Sequence, residues 1–121
     1  MENLASGDLR IDVSVDEASS AVLLYWRGKS NERNPSAVLQ PFFSKLMVEV
    51  LEQKHSLELH FEELEHFNSS TITAIIQLIQ DCRSKGVKLM IRFDAKLKWQ
   101  KLSFDALRVF AKDGQLELKP V

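Results

Sequence analysis

Three hydroxyl side chains in a row, Ser69-Ser70-Thr71, follow Phe67-Asn68 and precede an apolar run that begins at Ile72. Such a junction is where a strand hands over to a helix. A helix start carries free backbone N–H groups and the positive end of the helix dipole. Two chemistries suit residues of this type there. One of Asn68, Ser69 or Ser70 can cap the helix by accepting a bond from its first turn. Alternatively, a serine can accept a phosphate, adding about −1.5 to −2 charges at neutral pH where the helix end tolerates them. The residues alone leave both readings open.

Other chemistry-bearing residues form no such constellation. His55, His60 and His66 surround one segment without a metal-ligand spacing. His60 alternates with apolar neighbours, which predicts a solvated strand face. Cys82, the single cysteine, falls on the apolar side of a predicted helix, where a thiol packs as a small core residue. No G-x-S-x-G elbow supports a serine nucleophile, and Gly28 and Gly86 stand alone instead of forming a phosphate loop. The acidic run Glu62-Glu63-Leu64-Glu65 reads as a solvated strand exit. Trp26 sits in an apolar run and is predicted to be core. Trp99, in the basic stretch Lys96-Leu97-Lys98-Trp99-Gln100-Lys101, suits a partner contact or a roof over the core equally well. No motif calls for a cofactor or a metal.

The elements that position the hydroxyls are legible from periodicity. Leu9, Ile11, Val13 and Val15 alternate with polar residues, as do Leu57, Leu59 and Phe61, and Val87, Leu89, Ile91 and Phe93. This is the period of a strand. Ala21 to Trp26 is a short apolar run of the kind found in central strands, broken by the polar Gly28–Asn34 segment. Leu39, Phe42, Phe43, Leu46, Met47, Val50 and Leu51 recur at helical spacing after Asn34-Pro35-Ser36. Pro41 lies inside that pattern, which predicts either a helix that starts near it or a kink. Ile72, Ile75, Ile76, Ile79 and Cys82 form a second helical stripe, stopped by Lys85-Gly86. Lys96–Ala111 reads as mainly helical, with Ser103 a candidate internal cap. Leu116 and Leu118 suit a short last strand.

The chain has 121 residues, a formal net charge of −1, 45% hydrophobic and 27% charged residues. That is enough for one domain with a core. Acids and bases are interspersed, so no electrostatic grip on nucleic acid is expected. No apolar run approaches the length of a membrane span, and Met1-Glu2-Asn3-Leu4 lacks the features of a secretory signal. A cytoplasmic location is the expectation. Strands alternating with helices imply crossovers and a mainly parallel sheet. Residues 1–8 read as a flexible lead-in and 9–121 as the domain.

The run Leu57-Glu58-Leu59-His60-Phe61-Glu62-Glu63-Leu64, leading into Phe67-Asn68-Ser69-Ser70-Thr71-Ile72, then a helix ended by Lys85-Gly86 and the strand Val87-Lys88-Leu89-Met90-Ile91, resembles the STAS domain of anti-sigma factor antagonists. It is even more similar to a STAS-like bacterial group, the biofilm-regulation phosphoproteins. Gly28-Lys29-Ser30 followed by Asn34-Pro35 also looks like that group's loop. Asn68 stands where the antagonists have aspartate and Thr71 where they have glycine, and both departures fit the second group better. The resemblance implies a single α/β STAS-like domain with a mixed, mostly parallel sheet of four to five strands and about three helices. It further implies a non-catalytic partner switch. A serine/threonine kinase of the histidine-kinase-like ATPase type phosphorylates the motif, a PP2C-type phosphatase reverses it, and the unphosphorylated form binds an output protein. That output is a diguanylate cyclase in the biofilm group and an anti-sigma factor in the antagonists. By position, Ser70 matches the antagonists' phosphoserine and Ser69 the biofilm group's phosphothreonine. Asn68, Ser69, Ser70 and Thr71 would face the partner.

Two rival readings make different demands. An unmodified scaffolding domain of a sensory complex would bind constitutively, whatever the charge at the serines. A small hydrolase would need His60 or His66 within reach of Ser69 or Ser70.

Overall fold

The computed structural model describes residues 1–111 and 114–121. Seven strands, β1 (Leu4–Ser6), β2 (Leu9–Asp16), β3 (Ala21–Ser30), β4 (Ser56–His60), β5 (Leu64–Phe67), β6 (Leu89–Phe93) and β7 (Leu116–Pro120), form one sheet. Three α-helices, α1 (Ser36–Glu52), α2 (Ser69–Lys85) and α3 (Lys98–Asp105), alternate with them, and a 3-10 turn (Ala106–Phe110) extends α3. The order across the sheet is β1-β2-β3-β4-β6-β7, with β5 also paired to β3. β2 pairs antiparallel with β1 on one side and with β3 on the other, and every other pairing is parallel.

The sheet is mixed and mostly parallel, as expected, but has seven strands instead of four to five. The additions are short and have tertiary causes. The lead-in, expected to be loose, contributes β1: Leu4, Ala5 and Ser6 pair with Ile11, Arg10 and Leu9, and Asn3 Oδ1 accepts a bond from Val13 N at 2.7 Å. Three residues carry too little periodicity to announce a strand. β4 and β5 lie one after the other along β3, separated by a turn at Phe61–Glu63. The Gly28–Asn34 segment, expected to end β3, instead prolongs it to Ser30, giving β5 its partner. Gly28 makes this possible. Its φ is +82°, and a Cβ there would stand 2.0 Å from Asp8 O. Only glycine permits that approach.

Alternation sorts the two faces of the sheet. Val22, Leu24 and Trp26 on β3, Leu57 and Leu59 on β4, and Leu89, Ile91 and Phe93 on β6 are buried with residues of all three helices in one core. Trp26 is core, as expected, with its ring 4.9 Å from Phe61. The opposite face carries Asp12, Tyr25, Glu58, His60 and Arg92. His60 is not solvated there. It is buried, its ring tilted against Tyr25 at 4.7 Å, with Glu58 and Glu62 carboxylate oxygens 3.2 and 3.5 Å from its two ring nitrogens. Alternation put the residue on the right face, but cross-strand neighbours cover it.

α1 begins at Ser36, five residues before Pro41. The proline sits on the exposed side, where its missing N–H leaves no buried acceptor. The Lys96–Ala111 stretch divides at Ala106, not at Ser103.

Candidate functional site

The site is the first turn of α2. Phe67 brings the chain there. Its ring is buried edge-on against Phe104 at 5.5 Å and Trp99 at 5.1 Å, so the last residue of β5 is held by an aromatic cluster. Trp99 is half-buried and thus roofs the core beside the site, and His66 lies 6.4 Å from it. Gln100 fixes the same corner from within. Fully buried, its amide nitrogen donates to Phe61 O at 2.6 Å and Leu64 O at 3.1 Å, and its carbonyl accepts from Asp94 N at 2.8 Å.

Asn68 is the helix cap. Its backbone is extended (φ −94°, ψ 174°) and its Oδ1 accepts from Thr71 N at 2.9 Å. Its Nδ2 donates to Glu32 O at 2.8 Å, and its own N–H donates to Ser30 O at 3.0 Å. The cap therefore also ties the β3–α1 loop to α2. Thr71, expected among the partner-facing residues, is fully buried. Its hydroxyl stands 2.7 Å from Asn68 Oδ1 and 2.7 Å from Ser30 Oγ. A hydroxyl has one proton, and the amide oxygen can only accept. Thr71 O–H thus donates to Asn68, and Ser30 O–H donates to Thr71. This chain of bonds satisfies every buried hydroxyl at the junction.

Ser69 and Ser70 are what remain. Both are exposed, at the first two positions of the helix. Thr73 Oγ1 donates to the Ser69 carbonyl at 3.2 Å, but neither serine hydroxyl is engaged by another side chain among the described residues. Neither bonds to a histidine. The first turn of α2 holds no acidic residue, while Arg83 and Lys85 occupy the last. The negative end of the dipole is thus complemented and the positive end is not.

The sequence-predicted residues Asn68, Ser69, Ser70 and Thr71 meet in one turn and divide by role: two are exposed and two are consumed by the cap. Ser30 and Gln100 were not foreseen as parts of the site. Ser30 lay inside a recognised loop motif, but nothing local paired it with a residue 41 positions away. Cys82 is buried, and burial pushes its thiol up to about 12, with Asp81 adding to the shift. No group of metal-binding side chains occurs among the described residues, and no helix there is long and apolar enough to cross a membrane.

This architecture, antiparallel at one edge and parallel beyond, with a capped serine turn after the broken central strand, is that of a STAS-like domain. No family profile and no curated protein sequence matches the chain, but solved structures do. One is a chain in the crystal structure of diguanylate cyclase SiaD in complex with its activator SiaC from Pseudomonas aeruginosa. It has a TM-score of 0.66 and 15% identity over 99% of this chain and 98% of that one. Apo-SiaC from the same organism gives 0.56 and 14%, over 99% and 98%. The Bacillus cell fate determinant SpoIIAA in its phosphorylated form gives 0.58 and 10%, over 92% and 90%. At these identities the likeness establishes the fold.

Proposed function

We propose that this chain is a non-catalytic partner switch whose binding to an output protein is controlled by reversible phosphorylation at Ser69 or Ser70. The observation that carries the reading is the division of labour in the first turn of α2. Asn68 and Thr71 hold the helix start through buried bonds, so Ser69 and Ser70 are free of structural duty and face water. A kinase can reach them without unfolding anything. The phosphate would meet the free N–H groups of a helix end that lacks its own acid. The fold would remain, and the surface presented to a partner would gain about −1.5 to −2 charges.

The likeness to SiaC, an activator of the diguanylate cyclase SiaD, and to SpoIIAA, solved in phosphorylated form, supports this class of function. The matching output here is a diguanylate cyclase, with an anti-sigma factor as the other outcome. The modifying enzymes would be a kinase of the histidine-kinase-like ATPase type and a PP2C-type phosphatase, working in the cytoplasm where ATP is available. The exposed Asn68 flank, Ser69 and Ser70 would form the docking surface, and Thr71 would act from beneath.

The test pairs mass spectrometry with binding. Incubation with a serine/threonine kinase of the histidine-kinase-like ATPase type and ATP is expected to add one phosphate within residues 67–73. Ser69→Asp or Ser70→Asp is expected to abolish binding to the cyclase while circular dichroism is unchanged. No phosphate gain, together with undiminished binding by both variants, would return the chain to the scaffolding reading.

A further inference from the structure

Two surfaces at opposite ends of the sheet remain outside this switch, and they complement each other. The first is a groove beside β1, between residues 1–4 and the outer side of α1, with a volume of about 680 Å³. Leu4, Val38, Pro41 and Phe42 line it, and Val48 stands 55% exposed beside them. The rigid Pro41 ring in its wall is the residue that looked out of place in the helical pattern. The rim is acidic on balance: Glu2, Glu49 and Glu52 face it against Lys45 and the Met1 ammonium, which stands 3.9 Å from Glu49.

The second surface is convex and basic. α3 buries Gln100 and Phe104 inward, against the β6–β7 end of the sheet. Outward, Lys98, Lys101 and Leu102 recur at helical spacing, and Arg108 and Val109 continue the face. Leu102 is 66% exposed and Val109 56%. Residues 96–108 hold four cations and one carboxylate, Asp105, which pairs with Lys101 at 2.6 Å and Arg108 at 3.2 Å. In a chain whose net charge is −1, this is a local excess of positive charge.

We propose that the α3 ridge of one copy docks into the α1 groove of a second copy, giving head-to-tail self-association. Leu102 and Val109 supply apolar knobs for a concave apolar floor, and the lysines reach the glutamates of the rim. Apolar contact provides the attraction and charge selects the orientation. Because groove and ridge lie at the β1 and β7 ends of one sheet, a single contact leaves one groove and one ridge open. The expected products are short open chains instead of a closed dimer. The proposal is independent of the phosphorylation reading, since neither surface contains Ser69 or Ser70.

Sedimentation velocity on the full chain, from micromolar to millimolar concentration at low and high salt, tests this. The average mass is expected to rise with concentration beyond a single chain, and less so at high salt. Lys98→Glu/Lys101→Glu, which makes the ridge acidic, and Glu49→Lys/Glu52→Lys, which makes the rim basic, are each expected to weaken association at least about tenfold. Mixing the two variants is expected to restore it, because each reversed ridge then meets a reversed rim. A wild-type chain that stays single at every concentration overturns the proposal. So does association that survives both charge reversals, or a mixture that fails to recover it. A chain that stays single while the groove takes up an apolar dye would instead make the groove a small-ligand site, and would also overturn it.

Discussion

At the scale of single residues, the junction is governed by the direction of protons. Ser30 donates to Thr71, Thr71 donates to Asn68, and Asn68 Oδ1 also accepts the helix N–H. Removing the middle hydroxyl leaves a buried serine with no acceptor, which costs about 1–3 kcal/mol. Thr71→Val is therefore expected to lower the unfolding free energy by about 1–3 kcal/mol, read as a lower urea midpoint at unchanged slope, while Thr71→Ser retains most of the stability. Adding Ser30→Ala to Thr71→Val should cost less than the two single changes combined, because both break one network. Cys82 makes a different prediction. Burial pushes its folded-state value to about 12, whereas an unfolded thiol ionises near 8.5. The folded chain keeps a proton that the unfolded chain loses. Cys82 therefore favours folding below the unfolded value, and that contribution is lost as pH rises toward the folded one. Wild type should lose more stability than Cys82→Ala between about pH 9 and pH 11. Labelling of the thiol at neutral pH should be slow until urea is added.

At the scale of elements, α2 complements its dipole at one end only. Gly86 closes it in the left-handed conformation (φ +72°), and Arg83 and Lys85 complement its negative end. Its first turn lacks an acid. Ser69→Asp is expected to raise folding stability by about 0.3–1 kcal/mol, read as a higher Tm at low salt that fades at high salt. A change that strengthens the fold while abolishing partner binding would separate the proposed switch from misfolding. The elements were largely readable as sequence. Alternation marked β2, β4 and β6, an apolar stripe marked α2, and Asn68 was among the candidate caps. β1 and β5 were not readable, because strands of three and four residues carry almost no period. Each exists only because a longer strand offers it an edge.

At the scale of the whole molecule, the short N-terminal strand protects a longer one. β1 covers the outer edge of β2 at Leu9, Ile11 and Arg10. Deleting residues 1–6 would strip that cover and the Asn3 bond to Val13. The expected result is a lower denaturant midpoint and non-specific aggregation through the bared β2 edge, visible by light scattering. Aggregation of this kind should be insensitive to charge reversal at α3. That insensitivity distinguishes it from docking of the α3 ridge into the α1 groove.

What the amino-acid order determined alone is the local part of this protein. The order of the longer strands and the helices, the glycine stop of α2, the core position of Cys82 and the presence of hydroxyls at a helix start all follow from periodicity and capping chemistry. These are properties of neighbours in sequence. Tertiary structure decided which hydroxyls are free. Thr71 and Ser70 are adjacent and chemically alike, yet one is sealed against Ser30 and the other faces water. Gln100 and His60 were settled in the same way, Gln100 by the carbonyls of Phe61 and Leu64 and His60 by the Tyr25 ring from the neighbouring strand. A side-chain hydrogen bond is short and directional, so its partner is chosen by how the strands are laid side by side, and one-dimensional spacing carries no record of that.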